Sequence, residues 1–344
     1  MIKSSTGKTK KNKPVDVAAL QILLNKISLY QKTDPVTGVV ANSASAAPGY
    51  TKLASLKVDG TSKVKLAARI EAYQRAKNMK VVDGWISPSG KTLKTLLTDA
   101  GVVAGTKRMP YLRSEIVNMC LMLSAVKPLQ VITLYEKQYR ALSTQDKAGL
   151  KYILDTAKSD ADVTRITELA YMLATTKHET AHTFRAIEEY GKGSGRTYGA
   201  EISVSHTDAA KKTTVYKNKY YGRGYVQLTW GYNYQRIDEK LGNGTYPNKN
   251  KTKAVDYNKG FTISKPAQSV YLHPAKMLEK GNAYTAMVYG MQKGIFTGRK
   301  ISRYVNAVKT DYFNARRVIN GTDKAQAIAN YADDFELLML LSTK

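Results

Sequence analysis

The sequence predicts a mainly α protein, and three observations carry that prediction. Apolar residues recur at three- and four-residue spacing through most of the chain, which is the period of an amphipathic helix. No convincing strand ladder is legible, apart from a short hairpin around 197–227. The stretches between the periodic segments are rich in Gly, Ser, Lys and Asn, as loops are. At 344 residues the chain has ample material for one large or two moderate domains.

Residues 1–13 carry five lysines and no acid, and read as a disordered basic arm. From Val15 the spacing Val17, Leu20, Leu23, Leu24, Ile27 marks a first helix, and 34–50 reads as a loop. Leu66, Ile70 and Tyr73 share one side of a second helix. Val82-Asp83-Gly84-Trp85-Ile86 makes a turn, and a third helix runs through Leu93, Leu96 and Leu97 with Ser87 or Ser89 as its cap. Residues 14–100 thus form one small three-helix domain, and 101–106 form a linker to a second domain over 107–344.

In that second domain helices are expected at 111–126, 130–140, 144–157 and 162–180. On a 100° wheel with Ile166 at zero, Leu169, Ala170, Leu173 and Lys177 fall within about 60°, whereas Glu179 lies more than 120° away. This helix should bury its Leu/Ile face and direct Glu179 elsewhere. Residues 191–219 and 243–260 read as loops. Helices resume at 266–278, 283–290, 299–305, 312–319 and 323–341.

Charge narrows the partners. The net charge is +27, with 17 Lys/Arg against 6 Asp/Glu in residues 1–100 and 37 against 21 in the remainder. The bias is global, and it favours a polyanion: nucleic acid, anionic lipid or an acidic cell-wall polymer. No DNA- or RNA-binding module is recognisable. The single cysteine, Cys120, excludes an intramolecular disulfide framework and sits in an apolar run as a buried structural thiol. Residues 1–8 have charge but no apolar core of a secretory signal, and no window of about 20 apolar residues is present to span a membrane.

The chemistry concentrates between Tyr171 and Tyr234. Two features stand out: His178-Glu179-Thr180 with Glu188-Glu189 close behind, and Tyr220-Tyr221-Gly222-Arg223-Gly224 leading into Gln227-Leu228-Thr229-Trp230 and Asn233-Tyr234. Carboxylates at a helix end can be aimed by a loop into a cleft. Amide, hydroxyl and aromatic groups after a Gly-Arg-Gly turn are of the kind that line sugar sites. These motifs, with Asn314-Ala-Arg316-Arg317-Val-Ile-Asn320-Gly321, resemble the catalytic core of family 19 glycoside hydrolases, which comprise lysozyme-like chitinases and phage endolysins that cut peptidoglycan. The short spacing from His-Glu-Thr to Glu188 is similar to the endolysin branch. Residues 14–100 resemble the small peptidoglycan-binding domain found beside wall hydrolases, through Ala68-Arg-Ile-Glu-Ala-Tyr73-Gln74 and Asp83-Gly-Trp-Ile-Ser-Pro-Ser-Gly90.

The resemblance implies Glu179 as general acid, and a carboxyl at the end of an apolar-faced helix suits that role. For the second carboxylate Glu188 ranks first and Glu201, at the longer chitinase spacing, second; Glu189 is the adjacent alternative. The family positions for binding sugar or holding the attacking water fall on Gln227, Thr229 and Asn233. His178, Tyr221 and Trp230 are expected against substrate, the last two as flat faces for pyranose rings or else as core aromatics. Arg223 is expected to pair with a catalytic carboxylate or to bond its own turn, and Asn320 to stand at the cleft wall. The resemblance further implies cleavage of the β-1,4 bond between N-acetylmuramic acid and N-acetylglucosamine, without a cofactor or metal, by a monomer whose partner is peptidoglycan. No specific nucleic acid and no integral membrane association are expected. The protein would be made in a host bacterial cytoplasm and reach the periplasmic wall after release, or act from a virion.

Three rival readings remain at this level. A chitinase would use the same residues. A non-catalytic virion wall-binding protein would keep the fold alone. His178-Glu179-Thr-Ala-His182 also fits H-E-x-x-H, in which two imidazoles on one helical face bind zinc and the glutamate is the base. A third ligand would then come from His206, His273 or a carboxylate.

Overall fold

The computed structural model describes residues 6–7, 13–48, 50–56, 58, 63–87, 90–102, 123–247 and 260–343. The protein is mainly α. Its chain divides into two compact units. The first gathers Met1–Cys120, Thr133–Ala141 and Leu337–Lys344; the second gathers Leu121–Ile132 and Leu142–Glu336. Each unit therefore draws on more than one stretch of chain. Most of the basic arm, Cys120, the expected linker beyond Val102 and most of the expected helix 111–126 lie outside the described residues.

In the first unit a two-residue strand, β1 (Thr6–Gly7), pairs antiparallel with β5 (Trp85–Ile86). Helix α1 (Pro14–Asn25) starts on a proline, whose fixed φ suits the first turn. It is buried on every side from Pro14 to Leu24 and is not the one-sided helix that its spacing suggests. The stretch 34–50 is not a plain loop either. Strands β2 (Tyr30–Thr33), β3 (Val40–Ser43) and β4 (Thr51–Lys52) form a sheet in the order β3-β2-β4. The β2–β3 turn is closed by Asp34, whose Oδ1 accepts from the amides of Val36 and Thr37, and by Gly38 at φ +68°. Both strands are short and largely exposed, so they leave little hydrophobic alternation to read.

Helix α2 (Lys63–Ala76) carries Gln74, which clamps the following turn. Its amide donates to Asp83 Oδ1 at 2.8 Å and its oxygen accepts from the backbone N–H of Asp83 and Gly84. Tyr73 reaches from α2 to Asp99 at the end of α3 (Lys91–Asp99). The N-cap of α3 is Gly90 with no side-chain bond, so the expected serine cap is not made by Ser87, and Ser89 lies outside the described residues.

Helix α4 (Pro128–Gln138) precedes the long helices of the second unit. Ser143 caps α5 (Thr144–Ser159) by accepting from the amide of Asp146. Helix α6 (Ile166–Glu179) is buried all round from Glu168 to Lys177, which makes it the central helix of this unit. The wheel therefore misjudges its burial: neighbours also cover Tyr171, Met172, Thr175 and Thr176 away from the Leu/Ile face, while Lys177 on that face lies over the ring of Tyr331. Gly149 of α5 lies so close to the chain after α6 that a Cβ there would sit 2.2 Å from the Phe184 carbonyl oxygen.

Beyond α6, β6 (Ile187–Glu188) pairs with β9 (Arg223–Gly224), and between them β7 (Ile202–Thr207) and β8 (Thr213–Asn218) form the expected hairpin. Helix α7 (Gly231–Lys240) follows, and β10 (Gly244–Thr245) pairs with β11 (Thr262–Ile263). The predicted helix 266–278 is two 3-10 turns, Pro266–Gln268 and Pro274–Leu278. Pro274 has no N–H and cannot continue a helix through the middle of that span. Helix α8 (Lys280–Lys293) ends on the left-handed Gly294. Then come α9 (Tyr312–Ala315) and α10 (Ala325–Ser342).

A tyrosine-rich cluster fills the core under the hairpin, with Tyr220 stacked on Tyr271 at 5.2 Å and edge-on to Tyr234 at 5.1 Å. Its polar centre is Asp238 of α7, which is fully buried. That carboxylate accepts from Tyr246, from Ser269 Oγ at 2.8 Å, from the Val270 amide at 2.6 Å and from Asn243 at 3.2 Å.

Candidate active site

Helix α6 stops at Glu179 because of Thr180. That hydroxyl donates to the Thr176 carbonyl at 2.7 Å and accepts from the Phe184 amide at 3.0 Å. Ala181, His182 and Phe184 then take left-handed backbone at φ +50°, +68° and +56°. Non-glycine residues avoid this region, and such strain concentrates where a structure has a constellation to hold. Two more of these residues, Gln227 at φ +54° and Trp230 at φ +70°, lie in the turn that follows the Gly-Arg-Gly segment.

Glu179 is held by an arginine that the motif pattern leaves without a role. Arg316, almost fully buried, donates from Nη1 to Glu179 Oε1 at 2.7 Å and from Nε to the Asp323 carbonyl. Behind Glu179, one and two turns back on the same helix, Thr175 and Tyr171 are fully buried. The neighbouring His178 is half-buried.

Glu188 is gripped from three sides. Its Oε1 accepts from Tyr221 Oη at 2.8 Å and from Arg223 Nε at 3.2 Å, while Lys192 Nζ lies 3.4 Å from Oε2. The cross-strand pairing of Glu188 with Arg223 sets this register. Arg223 is buried, lies 3.6 Å from the ring centre of Tyr221 and donates from Nη1 to the Lys219 carbonyl and to Tyr234. Partial burial raises the Glu188 pKa, but the bonds from Tyr221 and Arg223, with the Arg223 and Lys192 charges, outweigh it. The carboxyl titrates below its ordinary range. Tyr221 is thus buried with its hydroxyl on Glu188, as the core-aromatic alternative has it and not as an open sugar face.

The two alternatives to Glu188 have different surroundings. Glu189 is consumed by structure, accepting from Tyr198 Oη at 2.8 Å and from the Gly222 amide at 3.1 Å. Glu201 is exposed immediately before β7.

A pocket of about 410 Å³ gathers five of the residues singled out from the sequence: Gln227, Thr229, Trp230, Asn233 and Asn320. Gln227 is braced by its amide on the Ile187 and Gly224 carbonyls. Asn233 donates to the Thr229 carbonyl at 3.0 Å, and its own buried Oδ1 has no partner among the described residues. Trp230 meets Tyr198 edge-on and stacks on Tyr232. The same lining includes Thr297, Arg299 and Arg317. Thr297 ties the two segments together by donating to the carbonyls of Arg317 and Val318. His178, Tyr221, Arg223 and the glutamates are not among the residues lining this pocket.

Residues 143–261 match the family model of glycoside hydrolase family 19, chitinase class I. The match spans less than half of the chain, from α5 to just short of β11, and supports a glycoside hydrolase acting on chitin or peptidoglycan. No curated protein and no solved structure matches the chain. Arg299, Arg316, Arg317 and Asn320 all lie beyond the matched segment, yet fold onto its residues. The sequence signal for Arg316 and Arg317 was the basic pair before Val-Ile-Asn; for Arg299 there was none.

The zinc alternative fails on geometry. An H-E-x-x-H site needs both histidines on one helical face, but α6 ends at Glu179 and His182 sits in left-handed backbone, edge-on to Tyr331. Among the described residues no cluster of three or more His, Cys, Asp or Glu is arranged to hold a metal ion.

The grip on Glu188 yields a pH prediction. A group that acts as its base form sets the acid limb of the kcat/KM profile. A depressed pKa places that limb below the usual glutamate value of about 4.3. Tyr221→Phe removes one donor to the carboxylate, so the pKa rises and the limb moves to higher pH. An unchanged limb in the pH–rate profile of this variant would show that Glu188 is not the titrating base.

Proposed function

We propose that this protein hydrolyses the β-1,4 bond between N-acetylmuramic acid and N-acetylglucosamine in bacterial peptidoglycan, as an endolysin does. The observations that carry the reading are two arginine-held carboxylates, Glu179 and Glu188, and an amide- and hydroxyl-lined pocket, all formed by the same compact unit. Glu179 acts as general acid on the leaving oxygen, with Arg316 fixing its orientation. Glu188 acts as the base that activates water, and the Thr229 hydroxyl holds that water. Gln227, Asn233 and Asn320 bind the acetamido sugar and Trp230 packs on it. Inversion of the anomeric centre is the outcome that the family resemblance suggests.

The choice of peptidoglycan over chitin is supported by the charge of +27, which suits an anionic wall and has no use on a neutral polymer. It is also supported by the resemblance of residues 14–100 to wall-binding domains. With net +11 over residues 1–100, that domain and the basic arm before it tether the enzyme at the wall and raise its local concentration. This binding weakens as salt shortens the Debye length from about 10 Å at 0.1 M to about 3 Å at 1 M.

Chitinase action is the second reading, favoured by the description of the matching family model. Purified protein incubated with isolated sacculi and, separately, with chitin oligomers decides between them. Release of soluble muropeptides supports the proposal. Cleavage of chitin oligomers with the sacculi left intact replaces it with the chitinase.

A further inference from the structure

The pocket beside Gln227 and Thr229 is asymmetric in charge. Arg299 and Arg317 both line it, and among the described residues no Asp or Glu does. Among the described residues neither guanidinium pairs with a carboxylate. Arg299 donates from Nη1 to Tyr304 Oη at 3.0 Å, and Arg317 from Nε to Asn314 Oδ1 at 3.3 Å. The carboxylate next in that network, Asp311, is engaged by Asn314 and by Lys309 at 3.3 Å. Both arginines are half-buried, so water screens them only in part.

Their placement is built in by the backbone. Gly294 is left-handed, and a Cβ there would lie 2.8 Å from the Arg299 carbonyl carbon, so the chain turns tightly before Arg299. Arg317 is anchored through its own carbonyl on Thr297 at 2.7 Å. The result is two neutral-partnered forks in the pocket wall, which also carries the amides and hydroxyl of Gln227, Asn233 and Thr229.

A polymer of N-acetylglucosamine is uncharged and offers such a wall neutral hydrogen-bond acceptors but no counter-charge. A glycan carrying carboxylates matches it, because a planar guanidinium binds a carboxylate with two parallel hydrogen bonds. We propose that Arg299 and Arg317 are specificity-determining residues that bind a carboxylate borne by the sugar chain and so select an acidic glycan over a neutral one. This rests on the glycosidase reading for its consequence in turnover, but not for the binding itself. The carboxylate is either that of a lactyl ether on the sugar or that of a peptide attached to it.

The test begins with binding to the full-length protein, which needs no turnover. N-acetylmuramic acid, with its free lactyl carboxylate, should bind at least about tenfold more tightly than N-acetylglucosamine, as one charge-assisted pair warrants. The preference should shrink in Arg299→Gln and Arg317→Gln and return in part in the Arg→Lys variants, with thermal unfolding confirming that each remains folded. An N-acetylmuramoyl dipeptide, whose lactyl group is amidated, separates the sources: retained preference assigns the wall to the peptide carboxylate, and lost preference to the lactyl group. Equal wild-type affinity for all three ligands overturns the proposal, and needs no variant to do so. In turnover the ratio of kcat/KM on acidic glycan to that on chitin oligomers should fall about tenfold per arginine replaced. An unchanged ratio overturns selection. A wild-type protein that binds the acidic sugar yet cleaves neither glycan refutes the glycosidase reading and leaves the binding inference standing.

Discussion

Glu179→Gln is expected to lower kcat/KM on labelled sacculi by roughly 10²–10⁴-fold, the range over which a positioned general acid contributes. The amide still offers an oxygen to Arg316 Nη1, which bonds Oε1 at 2.7 Å in the wild type, so the fold and KM should change little. What is lost is the proton delivered to the leaving oxygen, and a loss in kcat at near-constant KM is the signature of an interaction made only in the transition state. Single-turnover kinetics on sacculi, beside a thermal melt, checks both halves. A loss smaller than about tenfold would remove Glu179 from the chemistry, since even weak general acids exceed that. A loss accompanied by unfolding would mean that the Glu179–Arg316 pair is structural.

The largest effect on stability should come from Asp238→Ala, at about 3–5 kcal/mol, because the change strands several buried donors at once. Tyr246 Oη, Ser269 Oγ, the Val270 amide and Asn243 Nδ2 all lose their acceptor in a region that excludes water. Helix α7 carries both Asp238 and Asn233, so activity should fall with stability. Chemical denaturation read by tyrosine fluorescence measures the difference. Destabilisation below about 1 kcal/mol would mean that water reaches these groups and that Asp238 is not their organising acceptor.

The long helices were legible because length and period reinforce one another. Over 144–159 and 325–342 the apolar spacing repeats for four turns or more, and capping by Ser143 follows the standard pattern. Helix α6 was legible as a helix, but its surroundings were not. A wheel reports which residues are apolar, not how many neighbours cover them, and this helix is covered on every side. The β2–β3–β4 sheet and the β6–β9 pair escaped notice because two- to four-residue strands leave too few alternations to count.

The candidate site divides along the same line. Gln227, Thr229, Trp230, Asn233 and Asn320 were found from motif order and share one pocket. Tyr221 carried two readings, and only its hydroxyl position against Glu188 separates them. Arg316 and Arg299 reach their places across long separations in sequence. No local pattern encodes a contact between residues 179 and 316, so the guanidinium that orients Glu179 could be read only from the fold.

The central claim concerns one bond, and its products name it. Exhaustive digestion of isolated sacculi by the full-length protein, followed by borohydride reduction and mass spectrometry of the muropeptides, identifies the sugar at each new reducing end. Reduced N-acetylmuramic acid at those ends is the predicted result, produced by the wild type and absent with Glu179→Gln. Reduced N-acetylglucosamine ends, or peptide fragments from intact glycan strands, would contradict it.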